Sequence, residues 1–131
     1  MEIKVVKRIM EANEQHAEVV RRRLRESGVV ALNLISAPGS GKTSLIEAAI
    51  REMKGRVRIG VIEGDPDTTR DAERIARLDV PVVQINTEGG CHLEATMVLR
   101  ALEEIEVDNL QLLFIENVGN LVCPVVFDLG E

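Results

Sequence analysis

The chain has 131 residues, of which 45% are hydrophobic, 29% are charged and only 2% are aromatic, and its formal net charge is −6 at pH 7. This length corresponds to one domain, and a core of Val, Ile, Leu and Ala suits a parallel sheet covered by helices. The negative charge argues against a general nucleic-acid-binding surface. No apolar run approaches the ~18 residues of a membrane span, so we expect a cytoplasmic protein with no nucleic-acid or membrane partner.

The first predicted element is a long amphipathic helix over residues 3–26, within a leading segment of residues 1–27. Apolar residues recur in it at helical spacing, and the Ser27-Gly28 pair supplies a stop signal. Four arginines between residues 21 and 25 form a basic cluster, which we interpret as a solvated helix end rather than a nucleic-acid site.

An apolar run over residues 29–35 predicts a buried strand, and the sequence Ser-Ala-Pro-Gly-Ser-Gly-Lys-Thr follows at residues 36–43. This segment satisfies the phosphate-loop pattern G-x-x-x-x-G-K-S/T at every fixed position except the first, where Ser36 replaces glycine. An apolar-periodic helix is predicted directly after it. A simple tight turn would need neither the lysine nor the threonine, so we interpret the segment as a phosphate-binding loop.

The residue types in this loop match the chemistry of phosphate binding. Gly39 and Gly41 let backbone amides face an anion without a side chain in the way. Lys42 can reach the terminal phosphates, and the Thr43 hydroxyl can ligate magnesium at the positive end of the next helix. The predicted nucleotide-binding residues are Pro38, Gly39, Ser40, Gly41, Lys42, Thr43 and Ser44.

The rest of the chain alternates between predicted strands and helices. The strands are expected at residues 57–63, 80–86 and 110–116, and the helices at residues 68–78 and 91–104. Asp67 or Thr68 is the predicted cap of the helix at residues 68–78, and the residues after Asn120 are predicted to be loop. This alternation implies βαβ crossovers and an α/β fold, a mostly parallel sheet flanked by helices. We expect residues 1–131 to form one phosphate-loop NTPase domain that is incomplete at its C-terminus.

Acidic residues end two of the predicted strands. Glu116 ends the last strand and Gly119 follows three residues later, which is the spacing of the D-x-x-G switch motif with Glu in place of Asp. Such a carboxylate holds magnesium and such a glycine senses the terminal phosphate, so we predict catalytic roles for Lys42, Glu116 and Gly119. The alternative is that the pair only ends a strand and makes a turn. Asp65 is the predicted magnesium residue of the second strand, with Glu63 as its close competitor.

Two cysteines and a histidine are candidate ligands for a softer metal ion. Cys91 and His92 are adjacent, and Cys123 follows the predicted switch glycine. Thiolate and imidazole suit zinc or nickel, but three ligands leave a four-coordinate site incomplete unless a second chain or water completes it. On spacing alone the signal is weak, because a buried cysteine is more often packed than metal-bound.

Taken together, these segments resemble the HypB family of hydrogenase nickel-incorporation GTPases, a family that includes the urease accessory GTPase. The resemblance extends from the first helix to the end of the chain. Its most specific segments are Leu-Asn-Leu-Ile-Ser-Ala-Pro-Gly-Ser-Gly-Lys-Thr at residues 32–43 and Phe-Ile-Glu-Asn-Val-Gly-Asn-Leu-Val-Cys-Pro at residues 114–124. The second of these favours the hydrogenase members.

The resemblance implies a GTP-binding and GTP-hydrolysing metallochaperone that assists nickel insertion into nickel–iron hydrogenase. It implies GTP or GDP and Mg²⁺ as cofactors, and Ni²⁺ or Zn²⁺ held by Cys91, His92 and Cys123 at the interface of a nucleotide-dependent homodimer. The implied partners are a hydrogenase maturation protein and the hydrogenase large subunit. Guanine specificity rests on the resemblance alone, because the sequence contains no N-K-x-D motif. The alternatives are a urease-type accessory GTPase, another phosphate-loop NTPase, and a non-catalytic metal-binding dimer.

Overall fold

A computed structural model describes residues 2–65 and 70–131. The predicted helix cap at Asp67 or Thr68 therefore lies outside the described residues. The strands are β1 (Val30–Leu34), β2 (Ile59–Asp65), β3 (Val82–Asn86) and β4 (Leu112–Glu116). The helices are α1 (Glu2–Ser27), α2 (Lys42–Met53), α3 (Arg70–Ala76), α4 (Ala95–Glu104) and α5 (Cys123–Val126), with a 3₁₀ turn at Val107–Asn109.

The four strands form one sheet in the order β1-β4-β2-β3, and every neighbouring pair is parallel. The predicted α/β fold with a parallel sheet is thus confirmed. In this register Glu116 lies between Leu34 and Glu63, so the strand that enters the phosphate loop and the two strands that carry these glutamates meet at the carboxyl edge of the sheet. In parallel sheets the carboxyl ends of the strands form the crevice where ligands bind.

Helices cover both faces of the sheet, because successive strand residues point to opposite faces. One face packs against α1 and α4, and its buried residues include Val20, Leu24, Ile62, Val98, Leu102, Leu113 and Ile115. The other packs against α2 and α3, and its buried residues include Ile46, Ile50, Val61, Ile75 and Phe114. The near-continuous apolar composition of β2 and β4 follows from this burial on both faces.

Several predicted elements have different boundaries in the structure, and two of these differences bear on the positions of the site residues. The helix predicted from residue 91 begins only at Ala95, because Glu94 has an extended backbone (φ −119°, ψ 157°) and the preceding residues form a loop. The second strand is shifted from residues 57–63 to Ile59–Asp65. Val57 instead pairs with Lys54 in an isolated bridge at the end of α2, which removes it from the sheet.

The segment after Asn120, predicted to be loop, contains the short helix α5. Pro124 lies in its first turn, where proline is favoured because its fixed φ suits the helix and its missing N–H is not needed. The prediction failed because one helical turn leaves no periodic pattern in the sequence. Cys123 begins this helix, which fixes the position of its thiol.

The 26-residue helix α1 agrees closely with the prediction. Two of its four clustered arginines form ion pairs, Arg21 with Asp128 at 2.6 Å and Arg23 with Asp108 at 2.9 Å, whereas Arg22 and Arg25 are exposed as predicted. Hydrogen bonds from Arg23 and Ser27 lower the pKa of Asp108 to about 2. Among the residues that the structure describes, no helix is both long and apolar enough to cross a bilayer.

Candidate functional site

The phosphate loop connects β1 to α2 and has the backbone conformation that its glycines predict. Gly39 and Gly41 have φ values of 70° and 97°, which place them in the left-handed region that side-chain-bearing residues rarely adopt. Gly41 is also the N-cap residue directly before α2, and it offers no side chain to cap the first amides. These amides, at the positive end of the helix, are therefore available to an anion.

Ser36 has a role in this loop that the sequence did not suggest. The Lys42 ammonium donates a hydrogen bond to Ser36 Oγ over 3.0 Å, and the Ser40 hydroxyl lies 2.6 Å from the same oxygen. The residue that departs from the phosphate-loop pattern thus holds the lysine of the loop. The Lys42 ammonium has three N–H donors, so two remain for a phosphate when one is bound to Ser36.

Two buried glutamates lie beside the loop at the carboxyl edge of the sheet. The Thr43 hydroxyl donates to Glu116 Oε1 over 2.7 Å, which brings two predicted magnesium residues together. Glu63 faces Glu116 in the register of β2 and β4, and the two residues are only 1% and 4% exposed. Their Oε2 atoms have no hydrogen-bond partner within the described residues. Burial and the neighbouring Glu116 carboxyl raise the pKa of Glu63 well above its ordinary range.

A second group of oxygen ligands adjoins this pair. One oxygen each from Glu63, Asp65 and Asp71 lies within 4.8 Å of the others. Carboxylate oxygens at this spacing, including buried ones that lack partners, suit a hard divalent cation such as Mg²⁺. The sequence analysis ranked Asp65 first and Glu63 second. It missed Asp71, because that residue reaches the site only through the docking of α3.

The predicted switch glycine lies directly against the phosphate loop. A Cβ atom at Gly119 would lie 2.7 Å from Pro38 Cα, so only glycine allows this approach. The two segments are also joined by a hydrogen bond from the Asn120 N–H to the Ser36 carbonyl, at 2.9 Å. A phosphate in the loop would therefore lie close to the Gly119 backbone.

All of the predicted phosphate and magnesium residues line one open cavity of about 540 Å³. Its wall also contains Arg74, which pairs with Glu47 and lies 3.6 Å from Asp71. Glycine-rich backbone and a lysine form one side, and buried carboxylates form the other. This arrangement can hold a polyphosphate together with a divalent cation. The cavity residues outside the prediction are Gly64, Asp71, Arg74, Asn117 and Val118.

The candidate ligands for the softer metal form a separate cluster. One ligand atom each from Cys91, His92 and Cys123 lies within 4.8 Å of the others, and Cys91 Sγ is 3.5 Å from His92 Nδ1. Cys91 is exposed, and the nearby Cys123 thiol raises its pKa. Two thiols and an imidazole suit zinc or nickel and leave a fourth position open.

The ring of His92 is held by contacts that sequence reasoning missed. It stacks on Phe127 with ring centroids 4.0 Å apart, and its Nε2 lies 3.4 Å from Glu94 Oε1. A carboxylate beside one imidazole nitrogen fixes which nitrogen faces a metal ion. The nearby Nδ1 is the nitrogen that faces Cys91.

Sequence comparison relates the chain to nucleotide-binding proteins. The family model described as CobW/HypB/UreG, nucleotide-binding domain, matches residues 30–128. The hydrogenase maturation factor HypB of Rhizobium leguminosarum bv. viciae is 51% identical over 129 residues, which are 98% of this chain and 43% of that protein. HypB of Escherichia coli strain K12 is 46% identical over 123 residues, 94% of this chain and 42% of that protein. The chain thus spans less than half the length of these relatives.

Two solved structures resemble the chain in fold. A crystal structure of hydrogenase maturation factor HypB from Archaeoglobus fulgidus has a TM-score of 0.84 and 46% identity, and the match covers 92% of this chain and 59% of that one. A crystal structure of HypB from Helicobacter pylori in complex with nickel has a TM-score of 0.85 and 38% identity, with 91% and 56% covered.

Proposed function

The chain belongs to the CobW/HypB/UreG nucleotide-binding family, and on that premise we propose that it binds and hydrolyses GTP and assists nickel insertion into hydrogenase. The observation that supports this proposal most is the shared cavity, which Lys42, Thr43 and Glu116 line together, with Gly119 against the phosphate loop. Phosphoryl transfer depends mainly on positioning and on charge stabilisation, and these groups suit both tasks.

In the proposed reaction, water attacks the terminal phosphate of GTP, and GDP and inorganic phosphate are released. Lys42 and the loop amides would hold the β- and γ-phosphates, and Gly119 would contact the γ-phosphate through its backbone. Thr43, Asp65 and Glu116 would hold Mg²⁺, and the burial of Glu63 beside them supports a cation here. Mg²⁺, when bound, would neutralise charge on the phosphate oxygens.

Nickel is the proposed cargo of the cysteine–histidine cluster, and zinc is the alternative occupant. The short distances among Cys91, His92 and Cys123 support this assignment, as does the nickel complex of the H. pylori relative. Three ligands leave one position for a second chain, which agrees with a nucleotide-dependent homodimer. The proposed recipients of nickel are a hydrogenase maturation partner and the hydrogenase large subunit.

The test of nucleotide chemistry is Lys42→Ala in the full chain. We expect GTP hydrolysis to fall about 10²–10³-fold, because a preorganised cation beside the transferred phosphate is removed. Lys54→Ala is the matched control, since Lys54 directly follows the other end of α2 and lies outside the cavity. Hydrolysis by Lys42→Ala at the rate of the Lys54→Ala control would rule out the phosphate-loop assignment. Competition between ATP and GTP for binding tests whether the site selects guanine over adenine.

A metal-binding dimer without catalysis is the second candidate, because the cysteine–histidine cluster is assembled apart from the phosphate cavity. Nickel binding with no GTP turnover at any nucleotide concentration would favour it. The nickel acceptor is a separate question, because a relative from Helicobacter hepaticus, 42% identical, is named hydrogenase/urease maturation factor HypB. Nickel transfer to metal-free hydrogenase and to metal-free urease, measured side by side, distinguishes the two acceptors.

A further inference from the structure

Asn117 connects the phosphate cavity to the cysteine–histidine cluster. It follows Glu116 in the segment of residues 116–119, here called the switch segment, and is only 1% exposed. Its side-chain oxygen accepts a hydrogen bond from the Val118 N–H at 2.9 Å and another from the Leu93 N–H at 3.2 Å. Leu93 follows His92 directly in the segment of residues 91–94, here called the metal loop. One oxygen atom therefore joins the two segments.

The orientation of this amide is fixed by its other contacts. Asn117 Nδ2 donates to Asn33 Oδ1 at 3.2 Å, and the Asn117 backbone N–H donates to the Leu34 carbonyl at 3.1 Å. A reversed amide would place its NH₂ group against two N–H donors. Both bonds lead to β1, the strand that enters the phosphate loop.

The metal loop is held firmly where Asn117 contacts it. Leu93 is fully buried, and a Cβ atom at Gly64 would lie 2.8 Å from its side chain. Gly64 lies between Glu63 and Asp65 in β2, beside the proposed magnesium ligands. Because close-packed interiors transmit displacements, a shift of Leu93 has to involve its hydrogen-bond partner.

We propose that Asn117 is a positioning residue that couples the nucleotide state of the cavity to the geometry of the metal loop. The inference rests on the proposed function above. A phosphate that contacts Gly119 displaces the neighbouring Val118 amide, and Asn117 Oδ1 follows that amide. The same oxygen then moves the Leu93 amide and the adjacent ligands Cys91 and His92. A contiguous network of this kind is a physical basis for coupling between two sites.

The coupling is measured as the ratio of two nickel dissociation constants for the full chain, one with a non-hydrolysable GTP analogue and Mg²⁺ and the other with GDP and Mg²⁺, which lacks the γ-phosphate. Thiolate-to-nickel absorbance reports the binding directly. We expect a ratio of about 5 to 150 in the wild type, the usual range of coupling between sites. Asn117→Ala should bring the ratio close to 1 while both ligands still bind. Asn117→Asp, which retains an oxygen acceptor for both amides, should restore most of it.

Asn13 provides a matched control on α1. Its Oδ1 accepts from the Ala95 N–H at 2.9 Å and its Nδ2 donates to the Asp128 carbonyl at 2.8 Å, so it is also a buried asparagine bound to the same stretch of chain. Neither partner belongs to the switch segment. Asn13→Ala should lower the free energy of unfolding about as much as Asn117→Ala and leave the ratio unchanged.

A second readout uses only the wild type, so it holds even if a variant fails to fold. Hydrogen exchange of the Leu93 amide should change when a non-hydrolysable GTP analogue replaces GDP in the presence of Mg²⁺, and exchange of the Ala95 amide should change less. The proposal is wrong if the wild-type ratio is 1, if Asn117→Ala keeps the wild-type ratio, if Asn13→Ala abolishes the ratio equally, or if the Leu93 amide does not respond. Absence of nickel binding, or of binding by both the GTP analogue and GDP, in the wild type would instead contradict the proposed function.

Discussion

The phosphate cavity and the cysteine–histidine cluster are neighbouring sites with opposite physical properties. The cavity carboxylates Glu63, Asp65 and Glu116 lie at the ends of sheet strands, and Glu63 and Glu116 are nearly inaccessible to solvent. The cluster ligands lie in a loop and at the start of a short helix, and Cys91 is exposed. The sheet therefore fixes the geometry of the first site, whereas loop contacts fix the second.

This difference has an energetic consequence. Two adjacent buried carboxyl groups are costly to ionise together. This cost, here called electrostatic stress, lowers the free energy of unfolding at neutral pH until a cation binds. An exposed thiol keeps its hydration and exerts no comparable stress. We therefore expect changes in the cavity to affect both catalysis and stability, and changes in the cluster to affect metal affinity almost alone.

The largest expected effect tests the catalytic half of this comparison. Glu116→Gln keeps an oxygen for the Thr43 hydroxyl but removes the charge that would hold Mg²⁺. We expect Mg²⁺-dependent GTP hydrolysis to fall about 10²–10³-fold, comparable to the loss of a preorganised charge-stabilising group. Steady-state phosphate release at saturating Mg²⁺ measures it.

Glu104→Gln, at the C-terminal end of α4 and away from the cavity, is the control for this change. Nickel affinity without nucleotide should stay within about twofold in both variants, because neither substitution removes a ligand of the cysteine–histidine cluster. If Glu116→Gln hydrolysed GTP as fast as the control, the magnesium role of Glu116 would be wrong.

The phosphate side of the comparison was largely predictable from sequence because its requirements are local. A glycine-rich backbone, a lysine and a threonine occupy adjacent positions, and the structure gives Gly39 and Gly41 the expected left-handed backbone. The roles of Ser36 and Asp71 could not be predicted. Both depend on contacts between residues that only folding brings together, the loop hydroxyls in one case and the docking of α3 in the other.

The cluster side was less predictable because its ligands are far apart in the sequence. Spacing alone gave a weak signal for Cys91, His92 and Cys123, and the resemblance implied the shared site. The structure brings the three ligands together and starts α4 later than predicted. The Leu93 and Ala95 N–H groups, just before and at the start of that helix, donate hydrogen bonds to the side chains of Asn117 and Asn13, and residues so distant in the sequence cannot be recognised from the local pattern.

The second prediction tests the cluster half of the comparison. Cys123→Ser removes one of three metal ligands with little change in volume, and we expect nickel affinity to fall about 100-fold. Metal-free GTP hydrolysis should change by less than about threefold. Val125→Ser, an exposed position in the same short helix, should leave nickel affinity unchanged. A loss of metal-free hydrolysis as large as that of Glu116→Gln would show that the two sites are not separable.

The smallest expected effect tests the electrostatic stress itself. Because the pKa of Glu63 is raised in the folded protein, the folded state retains a proton that the unfolded state has already released. The free energy of unfolding should therefore fall as the pH rises above about 4.3, the ordinary pKa of glutamate, and through the neutral range. Glu63→Gln should flatten this dependence and raise the free energy of unfolding at pH 8 by about 1–3 kcal/mol. Urea denaturation in EDTA measures both quantities.

Mg²⁺ should raise the free energy of unfolding of the wild type, as Glu63→Gln does, because a bound cation offsets the repulsion between Glu63 and Glu116. It should stabilise Glu63→Gln less. Glu52→Gln is the control, since that glutamate lies on α2 with its side chain 85% exposed and should not alter the pH dependence. A wild-type pH profile in EDTA that matched Glu63→Gln would mean that the buried pair carries no stress. The two sites would then differ in geometry alone.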